Sequence, residues 1–189
     1  MFDEPPFLGQ HCVTPYPRRE VLLRWLWAFV QATIFRWSPR PLHTFRARLL
    51  VLFGADIPEP GQVVVYPTAR ITLPWKLTLA PRAMIGPHVN VYNLGHITFA
   101  RGANVSQGVH LCAGSHDIAL WSMPLVTAPI YLGENVWIAA DVYVGPGVSI
   151  GDLSVVGARS VVVNDLPPRM ICIGHPCRPV RERPAPIAK

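Results

Sequence analysis

From Leu132 to Pro167 the chain reads LGENVW, IAADVY, VGPGVS, IGDLSV, VGARSV, VVNDLP. Leu132, Ile138, Val144, Ile150, Val156 and Val162 recur every six residues. The residue after each of the first five is small: Gly133, Ala139, Gly145, Gly151 and Gly157. Two residues before each aliphatic stand Ile130, Val136, Val142, Val148, Ser154 and Ser160. Such a period fits neither an α-helix nor a long flat strand. It fits short strands joined by tight turns, with the aliphatic pointing inward onto its equivalents in neighbouring coils. A small residue follows it because the corner leaves little room for a side chain. Three hexapeptides make one triangular coil, and a coil cannot bury its apolar edge alone, so coils stack into a solenoid.

The same phase runs upstream. Leu79, Ile85, Val91 and Ile97 are six apart; the phase then slips by two, and Phe99, Val105 and Leu111 resume it. The slip predicts a longer coil or a bulged corner. The repeat lapses over 113–129 and returns at Ile130. A lapse of this kind is a loop projecting from one corner. It holds the sequence CAGSHD, and loops carried on a rigid scaffold often bear function. The expected fold class is therefore all-β, a hexapeptide-repeat solenoid with one extruded loop. A passive solenoid spacer is the alternative to a functional one.

Composition sets the outer bounds. Half of the 189 residues are hydrophobic and 15% are charged, too apolar for a disordered chain. Twenty-one prolines and 14 glycines predict many short elements and many turns. The formal net charge is +6, but no dense Lys/Arg run is interleaved with aromatics, so a nucleic-acid partner has no support. A phosphate-rich ligand or an anionic membrane surface fits the charge as well. Cys12, Cys112, Cys172 and Cys177 form no C-x-x-C pair and read as core thiols in a reducing, cytoplasmic compartment. The start, Met1-Phe2-Asp3-Glu4, lacks the basic opening of a signal peptide. The one long apolar run, Leu22 to Phe35, has three readings: a helix packed on the main domain, an amphipathic helix on a membrane surface, or a spanning helix. The expected organisation is an N-terminal extension with a helical segment over 1–60, the solenoid with its loop (113–129) over 61–170, and a tail over 171–189.

The repeat segment 130–168, the GSHD loop at 114–117 and the tail GHPCRPVRE at 174–182 together resemble the hexapeptide-repeat acyltransferases. Pro74-Trp75, Tyr92-Asn93-Leu94-Gly95 and Ser106-Gln107 are most similar to the exopolysaccharide, colanic acid-type acetyltransferase branch, with maltose, galactoside and nodulation acetyltransferases as cousins. The resemblance runs from Arg40 to Arg183. It implies a left-handed parallel β-helix assembled as a homotrimer, with acetyl-CoA lying in grooves between subunits and the loop closing over the acceptor. Cyclic symmetry then gives equivalent sites.

The resemblance places the general base at His116. An alcohol is a poor nucleophile at neutral pH, and an imidazole with an unperturbed pKa of about 6.5 can take its proton as it attacks the thioester. Asp117 either orients that ring or caps the loop. The oxyanion of the tetrahedral intermediate needs donors, and the N–H groups near Ala139 and Ala140 are candidates. Trp137 either walls the substrate site or packs outward. For the donor, the resemblance points to Ala140 and Ala158 along the pantetheine arm, to Asn164, and to Arg178 and Arg181 at the nucleotide phosphates. The Thr-Lys found in many relatives is Val163-Asn164 here, which changes one contact to CoA. The acidic pair of sugar-specific relatives is Asn93-Leu94 here, so Tyr92, Asn93 and Ser106 stand as acceptor contacts without naming a sugar. The expected reaction is acetyl transfer to a sugar hydroxyl of a surface-polysaccharide intermediate, lipid-linked or nucleotide-linked, with no metal required and peripheral membrane contact through Leu22–Phe35. The rivals are another acceptor (a serine, amino sugar or antibiotic), a zinc hydratase using His88, His96, His110 and His116, and a non-catalytic solenoid.

Overall fold

The computed structural model describes residues 16–185; the start of the chain, with Cys12, and the last residues of the tail lie outside them. The solenoid is a left-handed parallel β-helix of three sheets. Face I stacks Val64–Val65, Met84–Ile85, Asn104–Val105, Trp137–Ile138, Val155–Val156 and Met170–Gly174. Face II stacks Arg70–Ile71, Asn90–Tyr92, His110–Cys112, Tyr143–Val144 and Val161–Val162. Face III stacks Leu77–Leu79, Ile97–Phe99, Ile130–Leu132 and Ser149–Ile150. All of these strands pair in parallel, one coil upon the next.

The inward aliphatics form three fully buried columns: Val65, Ile85, Val105, Ile138, Val156 and Cys172 on face I, Ile71, Val91, Leu111, Val144 and Val162 on face II, and Leu79, Phe99, Leu132 and Ile150 on face III. Each such side chain contributes about 1.5–3 kcal/mol of transfer free energy. The phase slip has a simple origin. Pairing sets Leu79 beside Phe99 and Leu77 beside Ile97, so Phe99 occupies the column and the extra residues lie at the corner after face II. At Gly133 the small residue after the aliphatic is a steric requirement. A Cβ on Gly133 would stand 2.8 Å from the Ile150 carbonyl oxygen of the next coil. Two coil-facing serines replace aliphatics near the C-terminal end, and both bond to backbone: Ser154 Oγ donates to Pro167 O at 2.7 Å and Ser160 Oγ to Gly157 O at 2.7 Å.

A solenoid ends in open strand edges, which invite pairing with other chains. Here the N-terminal segment covers them. Helix α1 (Arg18–Val30) runs on through a π turn, Gln31–Phe35, and helix α2 (His43–Leu52) follows. The expected helical segment, Leu22–Phe35, falls within α1 and its π turn, and Pro39 and Pro41 separate it from the second helix, α2. Trp27, buried, donates its indole N–H to Ile71 O at 2.7 Å, and Gln31 Oε1 accepts from Ile71 N at 2.6 Å. Both backbone groups of Ile71, in the edge strand of face II, are thereby paired. Arg46, fully buried on α2, donates to Val65 O on the edge of face I at 2.7 Å and to the carbonyls of Pro39 and Arg40. Burial pulls its pKa below the usual arginine value. The edge of face III is paired by Asp56, which bridges to Thr78. At the other end Cys177–Glu182 turns back antiparallel on Met170–Gly174, and Leu166 bridges to Ile150. Among the described residues no helix is long and apolar enough to cross a membrane.

Candidate active site

The loop leaves the solenoid at the corner between faces II and III. Its two legs form an antiparallel pair, Gly114–His116 with Leu125–Thr127, in which His116 lies opposite Leu125. The legs meet on Gly95. Gly95 N donates to Ala113 O at 3.1 Å, and Ala128 N donates to the same oxygen at 3.2 Å. A Cβ on Gly95 would stand 2.7 Å from Ala128 O and 2.9 Å from Ala113 O, so only glycine lets both legs close.

Asn93 is fully buried just before this junction. Its Oδ1 accepts from Leu73 N at 2.9 Å, and its Nδ2 donates to Leu73 O at 2.6 Å and Lys76 O at 3.0 Å. The expectation of an acceptor contact at Asn93 is corrected by this geometry: its amide is spent on the preceding coil. The Tyr92-Asn93-Leu94-Gly95 motif builds the base of the loop, and Lys76 Nζ adds a bond to Leu94 O at 2.6 Å.

His116 is exposed. Its Nδ1 lies 2.6 Å from the Met123 carbonyl oxygen, across the loop. A carbonyl only accepts, so Nδ1 carries the proton and Nε2 keeps its lone pair. Asp117 points elsewhere: its Oδ1 accepts from Ala119 N at 2.9 Å, closing the turn of the loop. Beneath the loop base, His110 stands edge-on to Tyr92 (6.4 Å) and Tyr143 (5.6 Å). Burial holds His110 below the usual histidine value. Burial, and then a hydrogen bond with Cys112, push Tyr143 up.

Trp137, Ser106, Ala140 and Ala158 gather at a different corner, between faces I and II. Trp137 donates its indole N–H to Ser106 Oγ at 3.0 Å. Ala140 and Ala158 occupy equivalent turn positions one coil apart, linked by Arg159 N donating to Ala140 O at 2.8 Å. Neither the Ala140 nor the Ala158 N–H donates to another described residue, whereas Ala139 N is committed to Val156 O at 2.9 Å. At Ala140 and Ala158 the turns thus present amides without a partner among the described residues and side chains no larger than a methyl, flanked by the exposed Asp141 and Arg159, a surface suited to an extended ligand with amide and phosphate oxygens. Ala139, expected as a donor beside Ala140, is unavailable. Arg178 and Arg181 extend from the exposed final strand beside face I. Below them on the same corner, a hollow is lined by Arg40, Tyr66, His88 and Ser106. Arg40, which no motif marked, donates to Tyr66 Oη at 2.7 Å there. Asn164 is exposed at the other corner, with His116. One chain therefore brings the candidate base, with Asn164, to one corner and the other candidate donor contacts to a second corner across face II.

Comparison with known proteins fits this solenoid. Residues 129–164 match the family model described as bacterial transferase hexapeptide (six repeats). WcaF of Escherichia coli (strain K12), provisionally named a colanic acid biosynthesis acetyltransferase, is 51% identical over 158 residues, 84% of this chain and 86% of that one. The chain belongs to the hexapeptide-repeat acetyltransferases. Its enzyme class is accordingly that of acetyl-CoA-dependent acetyltransferases. A maltose O-acetyltransferase from Clostridium difficile 630 has the same fold, with a TM-score of 0.77 and 24% identity over 89% of this chain and 90% of that one. A hexapeptide-repeat acetyltransferase of Vibrio cholerae O1 biovar eltor, complexed with acetyl-CoA, gives 0.76 and 24% over 89% and 91%. The four histidines weighed as zinc ligands are dispersed in this family member: His88 at the corner between faces I and II, His96 against Thr78 before face III, His110 on face II and His116 in the loop. Among the described residues no group of three or more His, Cys, Asp or Glu is placed to hold a metal ion.

Proposed function

We propose that this acetyltransferase moves an acetyl group from acetyl-CoA to a sugar hydroxyl in the assembly of a surface polysaccharide, with His116 as general base. The observation that carries the reading is the Met123 carbonyl on His116 Nδ1, which leaves Nε2 as the basic nitrogen on an exposed loop. Nε2 takes the hydroxyl proton as the oxygen attacks the thioester carbonyl. The C–O bond forms, the tetrahedral oxyanion is met by backbone N–H groups, and collapse breaks the C–S bond. The thiolate of CoA then recovers the proton from the imidazolium. Polysaccharide assembly as the setting rests on the 51% identity with WcaF.

The protein works as a cytoplasmic homotrimer. The base and Asn164 stand on one corner of the chain and the other donor contacts on another, and a threefold assembly juxtaposes one subunit's loop corner with the next subunit's amide corner. Ala140 N–H supplies the oxyanion donor, Ala158 and Asn164 flank the pantetheine arm, and Arg178 and Arg181 meet the phosphates. Trp137, held by Ser106, and Tyr92 wall the acceptor side. The acceptor is a lipid-linked or nucleotide-linked sugar.

The test is transfer of labelled acetyl from acetyl-CoA to a panel of saccharides. Wild type acetylates at least one, and His116→Ala lowers kcat about 10²–10⁴-fold with donor affinity unchanged. Equal turnover by the variant overturns the assignment of the base.

A further inference from the structure

Helix α1 is apolar on two opposite faces. One face carries Trp27 and packs on the first coil. The other carries Leu22, Trp25, Leu26 and Phe29, spaced three, four and seven from the first, so they form one stripe. These four are 69%, 72%, 52% and 64% exposed. Ile34 and Trp37, 52% and 81% exposed, follow in the π turn and just past it. A helix that is apolar all round belongs between two apolar phases, and the solenoid supplies only one of them.

The charge of the segment says what the second phase is. Between Arg18 and Phe53 lie seven arginines and one acidic residue, Glu20, a formal excess equal to the +6 of the whole chain. Glu20 is held by Arg24 at 2.8 Å on the half-buried side of the helix. Arg46 is buried. Arg18 and Arg19 remain exposed at the start of the stripe, Arg36 at its end beside Trp37, and Arg48 on α2. A soluble partner protein would need a matching apolar groove ringed by acids. A bilayer with anionic headgroups offers acyl chains for the stripe, a headgroup layer where indoles settle, and phosphates for the guanidinium groups.

We propose that the α1 stripe, Leu22, Trp25, Leu26, Phe29 and Trp37 with Arg18, Arg19 and Arg36, is a docking face for an anionic phospholipid bilayer. It seats the N-terminal end of the solenoid on the membrane. The candidate active-site loop, which leaves the third coil, is then held close to acceptors carried on that surface. The lipid-linked choice of acceptor rests on the transferase reading above; the docking itself does not.

The experiment is flotation of the full-length protein with phosphatidylglycerol-containing vesicles and with pure phosphatidylcholine vesicles, at low and high salt. The proposal expects partitioning onto the anionic vesicles, weakened by salt. Leu22→Ser/Trp25→Ser/Phe29→Ser should abolish it, and Arg18→Gln/Arg19→Gln/Arg36→Gln should weaken it about a hundredfold, each arginine near the surface counting for roughly fivefold. Acetyl-CoA binding, measured on the same variants without vesicles, should be unchanged, which shows that they fold and keeps failure of docking separate from failure of the transferase reading. Three results overturn the proposal: no partitioning of wild type, equal partitioning of the serine variant, or a serine variant that changes oligomeric state while wild type ignores vesicles. The last would make the stripe a contact between copies of this chain.

Discussion

A main-chain carbonyl, not an acid, holds the imidazole of His116, the proposed base. Because Met123 O holds Nδ1, the identity of residue 123 should matter little: Met123→Ala should keep kcat/KM within about threefold, since any residue offers the same oxygen. Asp117→Asn should be as mild, because its Oδ1 serves only to accept from Ala119 N–H. Loss of a hundredfold or more in acetyl transfer by Asp117→Asn would return the carboxylate to the site. His110 makes a pH prediction. Burial holds it below the ordinary value, so the unfolded chain takes up a proton before the folded one as pH falls. Its contribution is therefore complete above about pH 6.5 and drains away as pH drops toward the lowered value. Thermal unfolding followed from neutral to mildly acidic pH should show that loss, and His110→Asn should flatten it. At this scale the resemblance carried by GSHD singled out His116, but not its partner: a backbone oxygen seven residues away leaves no mark on sequence. Asn93 misled for the opposite reason, since a buried amide satisfied by three backbone bonds and a ligand-binding amide are the same letter.

Elements place those residues, and two junctions bear the weight. At Gly95 the loop legs cross with no room for a methyl group. Gly95→Ala should leave the solenoid folded, by far-ultraviolet circular dichroism, while acetyl transfer falls at least tenfold, because the displaced legs carry His116 off position. At the N-terminal cap, Trp27→Ala removes a buried indole and orphans the Ile71 carbonyl. It should cost about 3–5 kcal/mol in denaturant unfolding and expose the edge of face II to aggregation. The strands were readable because six-residue columns leave a pattern wherever a side chain points inward. Helix α2 was not, because its buried face is anchored by Arg46, a residue that hydrophobic patterning counts as surface.

The solenoid is a three-faced prism whose candidate site residues lie at its corners. Sequence periodicity reveals the prism but not which corners would work together, because in the proposed trimer that depends on how copies meet. In the proposed site the loop corner of one subunit acts with the amide corner of the next. Mixed trimers test it most directly: His116→Ala chains and Ala140→Trp chains, each inactive alone, are unfolded, combined in equal amounts, refolded and assayed for acetyl transfer. A shared site restores about a quarter of wild-type activity, the fraction of interfaces that pair two intact corners in random threefold assembly. Two inactive parents that stay inactive when mixed, in trimers shown to contain both, would place the whole site within a single chain and contradict the account.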